Sequence, residues 1–441
     1  MANRRFDQSP SPSLFGFSLG RRGFMKGAAG AAALGLALPR GIASAQASPA
    51  TPTATGEVTL GSNYSDAVPK AALEADIAAL PNKNLTVKVN TVDHNTFQEN
   101  ITTYLQNPDD VLTWFAGFRM RFFAAQGLVG DITDVWDAGL TDQVGAGFKV
   151  ASTGDDGKMY FVPTSYYCWG IHYRKSLFEE NGWKAPTTMD ELTALATDMQ
   201  GKGLIPFAFA NDGRWPVMGT FDQLNFRMNG YQFHVDLMAG KEKWTDDKVK
   251  AVFAKWTELL PFHQPDANGR TWQEAAQAVV NKQAGMMTIG NFIGQQFPEA
   301  DQPDLDFFPW PEMNSEFGAG TIEAPFDGFM MASKPKNEAG AKELLYHFGT
   351  AAGQEAYLSK DPSVVVPNNN ADTSGYTPLQ KKVFNAVSAA PNVTQFLDRD
   401  ASPEFASNVA GPGLADFIAD PTKIDSILDD MQTQAEAIYS E

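Results

Sequence analysis

The stretch 156–200, DGKMYFVPTSYYCWGIHYRKSLFEENGWKAPTTMDELTALATDMQ, constrains the fold of this chain more than any other. It reads as an Asp156-Gly157 turn, a strand running into Pro163, a second strand over 166–173, a short helix and a loop, then a longer helix. Thr188-Met189-Asp190-Glu191 opens that helix as a capping box, in which the Thr188 oxygen accepts from a free amide and Glu191 reaches back. The 166–173 strand carries more aromatic residues than one buried face needs, which implies burial on both faces or a role in lining a site.

On either side of this stretch the pattern alternates between strand and helix. Leu85, Val87 and Val89 alternate as in a half-buried strand. Phe97, Ile101, Tyr104 and Leu105 fall at helical spacing over 96–107. The apolar run 110–116 suits a buried parallel strand, and 118–126 reads as a helix stopped by Gly127. This order argues for an α/β lobe with right-handed crossovers. Downstream, strands are expected at 204–210, 285–289, 305–308 and 328–333. Helices are expected at 220–229, 245–260, 271–283, 336–348, 377–389 and 421–439, with an extended connector at 361–370. No internal repeat is visible.

The N-terminal 47 residues read as a targeting segment. Gly20-Arg21-Arg22-Gly23-Phe24-Met25-Lys26 has the twin-arginine form, an apolar run follows over 27–38, and small-x-small cleavage sites end at Ala45 and Ala47. The apolar run is well short of the ~20 residues of a membrane span. Residues 48–56 read as a flexible linker. Removing 1–47 takes away Arg4, Arg5, Arg21, Arg22, Lys26, Arg40 and Asp7 and moves the formal charge from −18 to −23. So acidic a body repels nucleic acid and anionic membranes. Cys168 is the only cysteine, which leaves no intrachain disulfide and no lipid-bearing cysteine after the signal. About 390 residues remain, enough for two domains.

Several chemistries lack their motifs. There is no His-Glu-x-x-His, phosphate loop or Gly-x-Ser-x-Gly elbow, and the five histidines never pair at metal spacing. No catalytic residue, metal or cofactor is therefore expected. What remains is aromatic residues beside planar polar groups, the combination that packs on the C–H face of a pyranose and bonds its hydroxyls.

The motifs together resemble family 1 extracellular solute-binding proteins, the sugar-capturing subunits of ABC importers. The resemblance runs through Asp156-Gly157-Lys158-Met159-Tyr160 to Pro163, Tyr173-Arg174-Lys175-Ser176-Leu177-Phe178 and Ala185-Pro186-Thr187-Thr188-Met189-Asp190-Glu191-Leu192. It continues through Ala275-Ala276 to Gly290, Phe308-Pro309-Trp310-Pro311, Gly328 to Lys336, and Val366-Pro367. Met189 stands where the family usually has a packing Trp. The resemblance implies an α/β, two-lobed periplasmic-binding-protein-like fold of type II character, with three interlobe crossings near 164–166, 325–327 and 367–370. Lobe 1 is then 57–165 plus 328–366, and lobe 2 is 166–327 plus 367–441. It also implies an extracytoplasmic monomer that takes a sugar between its lobes and docks on membrane permease subunits, with no role for nucleic acid.

Strand ends carry the expected ligand contacts, because ligands of open α/β sheets sit outside the carboxyl ends of strands. Trp114 and Arg119 flank the turn after the 110–116 strand, and Asn211, Arg214 and Trp215 follow the 204–210 strand. Trp272 opens a helix. Asn291 and Phe292 follow the 285–289 strand, with Phe292 where the family commonly has a sugar-stacking Trp. Asp327 lies at the second crossing. Tyr64 and Asp66, after the first strand, and Tyr166 and Tyr167, at the first crossing, complete the set. Two other readings stay open. An exported glycoside hydrolase needs two carboxylates facing each other across the cleft, and the ligand could instead be a polyamine or a glycerophosphodiester. Bending is expected at 164–166, 326–328 and 367–370, with Gly328 absorbing a φ/ψ change.

Overall fold

The structure, a computed structural model, describes residues 54–440. The twin-arginine segment and most of the 48–56 stretch lie outside the described residues. Ala54 is already buried, its amide donating to Glu343 Oε2 (3.2 Å), and Gly56 opens the first strand.

Strands β1 (Gly56–Ser62), β2 (Leu85–Thr91) and β3 (Val111–Phe115) start the chain, and β1 pairs in parallel with both of the others. All of β3, VLTWF, is buried, as suits a central strand covered on both faces. The helix expected over 96–107 is two pieces, His94–Glu99 and Ile101–Tyr104, broken at Asn100. Asp93 starts the first piece by accepting from the Thr96 amide (3.0 Å).

The aromatic stretch divides between two sheets. β4 (Val162–Tyr166) joins the sheet of β1–β3, whereas β5 (Trp169–Arg174) founds a second one with β6 (Ile205–Ala208), β7 (Ala284–Gly290) and β8 (Leu305–Phe308). The expectation of one strand over 166–173 thus gives way to two strands linked by Tyr167 and Cys168. β5 runs antiparallel to β7 and β8, and β6 parallel to β7. After the short β9 (Ile322–Glu323), β10 (Phe326–Met331) returns antiparallel between β3 and β4, giving the order β2-β1-β3-β10-β4. The short β11 (Val393–Thr394) pairs with β9. The fold is two-lobed and α/β, each lobe built on its own sheet.

Helices cover both sheets, and local sequence explains where they begin. Met189–Gly201 opens on the expected capping box, with Thr188 and Glu191 satisfying each other's amides, and Trp272–Val280 opens on a second, made by Thr271 and Glu274. The second helix buries Trp272, Ala275, Ala276 and Val279, where each large apolar side chain is worth about 1.5–3 kcal/mol. Helices Tyr231–Met238 and Ala351–Leu358 were not expected. The first is cut from its predecessor by Gly230, whose φ of 84° ends the preceding helix. Among the described residues no helix is long and apolar enough to cross a membrane.

Gly328 has a steric reason for being glycine. Its φ is ordinary, but a Cβ there would lie 2.0 Å from the Val162 carbonyl oxygen, at the register shift where β10 meets β4. Close strand approach requires it. Gly328→Val is therefore expected to destabilise the protein at or above the upper end of the ~1–3 kcal/mol range for overpacking. Denaturant unfolding would measure this, and a variant as stable as the parent would contradict it.

Candidate ligand-binding site

A cavity of about 250 Å³ opens where the carboxyl ends of both sheets face each other. Parallel strands β1 and β3 end side by side and present Asn63, Tyr64, Asp66 and Phe115, while the helix after β2 adds His94 and Gln98. From the second lobe come Trp215, past the end of β6, Trp272 at its helix N-terminus, and Phe292, directly after β7.

Phe292 is the centre of an aromatic cage. Its ring meets Tyr167 and Trp272 edge-on, each at 5.1 Å between centroids, with Trp215 at 6.0 Å and Trp169 at 6.1 Å. Edge-to-face rings at these distances hold one another while leaving outward faces free.

The cavity floor is charged and comes from a segment the sequence reading left unassigned. Arg399 places Nη1 3.0 Å from Asp327 Oδ1, an ion pair without hydrogen-bond alignment. Its Nη2 donates to the Tyr167 hydroxyl (2.9 Å) and its Nη1 to the Phe326 carbonyl (3.2 Å), and its guanidinium lies 4.1 Å from the Phe115 ring centroid. Burial alone would lower its pKa, but Tyr167, Asp327 and Asp398 outweigh it and raise it. Burial raises the Asp327 carboxyl, with Arg399 opposing, and burial raises the Tyr64 and Tyr167 phenols. Burial also lowers the His94 imidazole, with Arg399 acting in the same direction.

Several buried polar atoms here have no protein partner: both amide atoms of Asn63, the Tyr64 hydroxyl, the Trp169 indole nitrogen, Asp398 Oδ1 and Arg399 Nε. Leaving such an atom unsatisfied costs about 1–3 kcal/mol. Hydrogen bonds cross the mouth between lobes from Trp215 Nε1 to Asn95 Oδ1 (3.3 Å) and from Gln273 Nε2 to both Asp66 oxygens (3.3 and 3.2 Å). Gly213 makes the approach possible. Its φ is 78°, and a Cβ would come within 2.6 Å of Asn95.

Of the residues singled out in the sequence, Tyr64, Asp66, Tyr167, Trp215, Trp272, Phe292 and Asp327 line this cavity. The others stand elsewhere. Trp114 is buried in the core against Phe97, Phe115 and Phe123. Arg119 lies behind the wall, where its Nη1 bonds Asp398 Oδ2 (2.9 Å) and Gln98 Oε1 (2.7 Å). Tyr166 packs in the first lobe against Phe148 and Phe326. Asn211 bonds Asn268 (2.8 Å). Asn291 staples the link between sheets, accepting from the Cys168 amide (2.8 Å) and meeting His172 Nε2 (3.0 Å). Arg214, at φ 65°, lines a separate cavity of about 60 Å³ together with Arg119. Among the described residues no cluster of three His, Cys, Asp or Glu could hold a metal ion.

Behind the floor, Asp400 Oδ2 accepts from the Gln395 amide (3.1 Å). Burial pushes its carboxyl up to about 6, with Arg121 opposing. A carboxyl raised above its unfolded value of about 3.9 stabilises the fold fully below about pH 4, and that contribution is lost as pH rises through the folded pKa. The melting temperature is therefore expected to fall over this window by a component that Asp400→Asn removes. Melting curves with equal pH slopes in parent and variant would contradict the shift.

Comparison with known proteins agrees with this architecture. The family model for bacterial extracellular solute-binding proteins matches residues 64–355. The bacterial solute receptor AcbH, described as having an exclusive preference for β-D-galactopyranose, is 42% identical, covers 87% of this chain and 100% of its own, and superposes with a TM-score of 0.85. An ABC transporter extracellular-binding protein of Pyrococcus horikoshii is 23% identical over 64% of each chain. The diacetylchitobiose binding protein NgcE of Streptomyces coelicolor is 24% identical over 66% of each, so both matches span just under two thirds of these curated relatives. With its family match over 64–355, its full-length likeness to AcbH and two sheets facing one cavity, the chain belongs to the bacterial extracellular solute-binding protein family, as its motifs implied.

Proposed function

We propose that this protein captures one pyranose unit between its lobes and delivers it to the membrane permease of an ABC importer, after export by the twin-arginine route. The observation that carries this reading is the set of unpartnered buried polar atoms, from Asn63 to Arg399, beside the rings of Trp215, Trp272 and Phe292. A ligand with hydroxyls around its rim and C–H groups on its faces satisfies both at once. The volume of about 250 Å³ is below the ~300–1,000 Å³ of drug-sized ligand pockets. That size favours one sugar ring over an oligosaccharide, in keeping with the preference described for AcbH.

In this reading lobe 1 is 57–165 plus 328–366, lobe 2 is 166–327 plus 367–441, and three crossings join them. Hydrogen bonding supports small shifts of those limits. Tyr166, Phe326 and Asp327 pair in the first sheet, and Asn368 still bonds Gly349 and Gln354 of the first lobe (2.8 and 3.0 Å), so the third crossing follows residue 370. The hydrogen bonds at the mouth, Asn95 to Trp215 and Asp66 to Gln273, belong to the closed form, and ligand shifts the population toward it. Titration calorimetry with D-galactose, D-glucose and the trisaccharide raffinose tests the proposal. The expected result is one site per chain for a hexose and none for the trisaccharide, with no new reducing ends after incubation with oligosaccharides. Binding of spermidine or a glycerophosphodiester but of no sugar would overturn it.

A further inference from the structure

The charges of the cavity are unbalanced. Asp66, Asp93, Asp212, Asp327, Asp361 and Asp398 line it, against the single cation Arg399. Arg399 serves Asp327, and Arg119 behind the wall serves Asp398. Asp66 and Asp361 are held by neutral groups instead. Both oxygens of Asp66 accept from the Gln273 amide (3.3 and 3.2 Å), and Asp361 accepts from the Ser363 hydroxyl (2.5 Å) and the Gln295 amide (3.0 Å). A second observation points to a ligand at the same end. Asn63, 1% exposed, has both amide atoms without partners, and the neighbouring Tyr64 hydroxyl has none either. A ligand group here meets Asn63 Oδ1 as a free acceptor and Asp66 as a carboxylate paired with no basic side chain, its charge eased only by its place at the N-terminus of the helix Ala67–Ala79.

We infer that this cavity sorts sugars by charge, with Asp66 as the specificity-determining residue: it admits a protonated 2-amino-2-deoxyhexose as readily as a neutral hexose and rejects uronic acids and sugar phosphates. The inference rests on the sugar-capture reading above. A bound ammonium pairs with Asp66, whereas a bound carboxylate or phosphate adds to negative charge that no basic side chain pairs, in a partly buried space. The positive charge of Arg399 is already offset by Asp327 at 3.0 Å, and its terminal nitrogens also serve Tyr167 and the Phe326 carbonyl, so its free Nε–H offers a bound anion a donor but little uncompensated charge.

The test is calorimetry with D-galactose, D-galactosamine hydrochloride and sodium D-galacturonate, at a pH where the amine is protonated. Galactosamine is expected within about threefold of galactose or tighter, and galacturonate weaker by roughly a hundredfold or more, as short-range charge terms in a partly buried site allow. The galactosamine-to-galactose affinity ratio should fall as salt is raised from about 0.02 M to 0.2 M, because screening weakens the charge term. It should also fall by about tenfold in Asp66→Asn. Galacturonate binding as tightly as galactose, or galactosamine binding more than about tenfold weaker, overturns the inference. An unchanged ratio in a folded Asp66→Asn protein overturns the role of Asp66. Should that variant fail to melt cooperatively, Asp361→Asn and the salt series on the parent protein decide the charge sorting. If none of the three sugars binds, the sugar-capture reading itself falls; if galactose alone fails while galactosamine binds, charge sorting stands and the neutral-sugar reading does not.

Discussion

Arg399→Ala is expected to abolish measurable sugar binding and to lower folding stability by about 3–5 kcal/mol, the cost of removing one partner from a buried ion pair. The side chain is 8% exposed and lies between two acids, 3.0 Å from Asp327 Oδ1 and 3.9 Å from Asp398 Oδ1. Without it both carboxylates face the cavity with only Arg119, on the far side of Asp398, to balance them. The Tyr167 hydroxyl and the Phe326 carbonyl also lose a donor. Arg399→Lys keeps the charge, but an ammonium cannot serve three acceptors spread around a planar fork. That variant should fold close to normally and bind more weakly. Denaturant unfolding with calorimetry separates the two losses. Full hexose affinity in a folded Arg399→Ala protein would remove the guanidinium from the site.

The second large effect is expected at the aromatic cage. Trp215→Ala and Trp272→Ala should each weaken sugar binding by on the order of 1–3 kcal/mol, taking base–aromatic stacking as the nearest analogue. Their stability costs should differ. Trp215 is half-buried and ties the lobes through Asn95, so its loss acts mainly on binding and closure. Trp272 is 8% exposed and packs edge-on against Phe292, so its loss also opens a hole in the second lobe. Phe292→Ala removes the ring that the other cage residues lean on, and it should combine non-additively with either tryptophan change because all share one set of contacts. Calorimetric affinities unchanged in both tryptophan variants would make those rings packing alone.

Much of the fold was legible because its signals are local. The Thr188 capping box, the fully buried β3 and the strand-to-polar-loop transitions after β6 and β7 each depend on a few adjacent residues, and each stands where the sequence put it. The part of the site on strand ends was legible for the same reason. Trp215, Trp272 and Phe292 sit at punctuated turns, where an aromatic residue is not needed for a core.

What was missed depends on contacts distant in the chain. Residues 393–402 have too little periodicity to announce an element, yet the run Phe396-Leu397-Asp398-Arg399-Asp400 supplies the floor. It is held there by the Leu397 amide donating to Asp222 Oδ2 (2.8 Å) and by Gln395 Oε1 accepting from the Phe326 amide (3.2 Å). The alternation of acid, base and acid beside two apolar residues was the available signal. Arg119 and Trp114 look like a ligand pair by their place after β3. The strand's pleat sends Trp114 into the core, and Arg119 turns to brace Asp398. Asn291 misleads similarly, because its amide is used up in joining β5 to the turn after β7.

The most direct test of the account is a crystal structure grown with saturating D-galactose. The predicted result is density for one pyranose ring between the lobes, with a C–H face against the cage around Phe292 and hydroxyls within hydrogen-bond distance of Asn63, Asp327 and Arg399. A sugar bound elsewhere on the chain, or an empty cavity at saturating ligand, would contradict it.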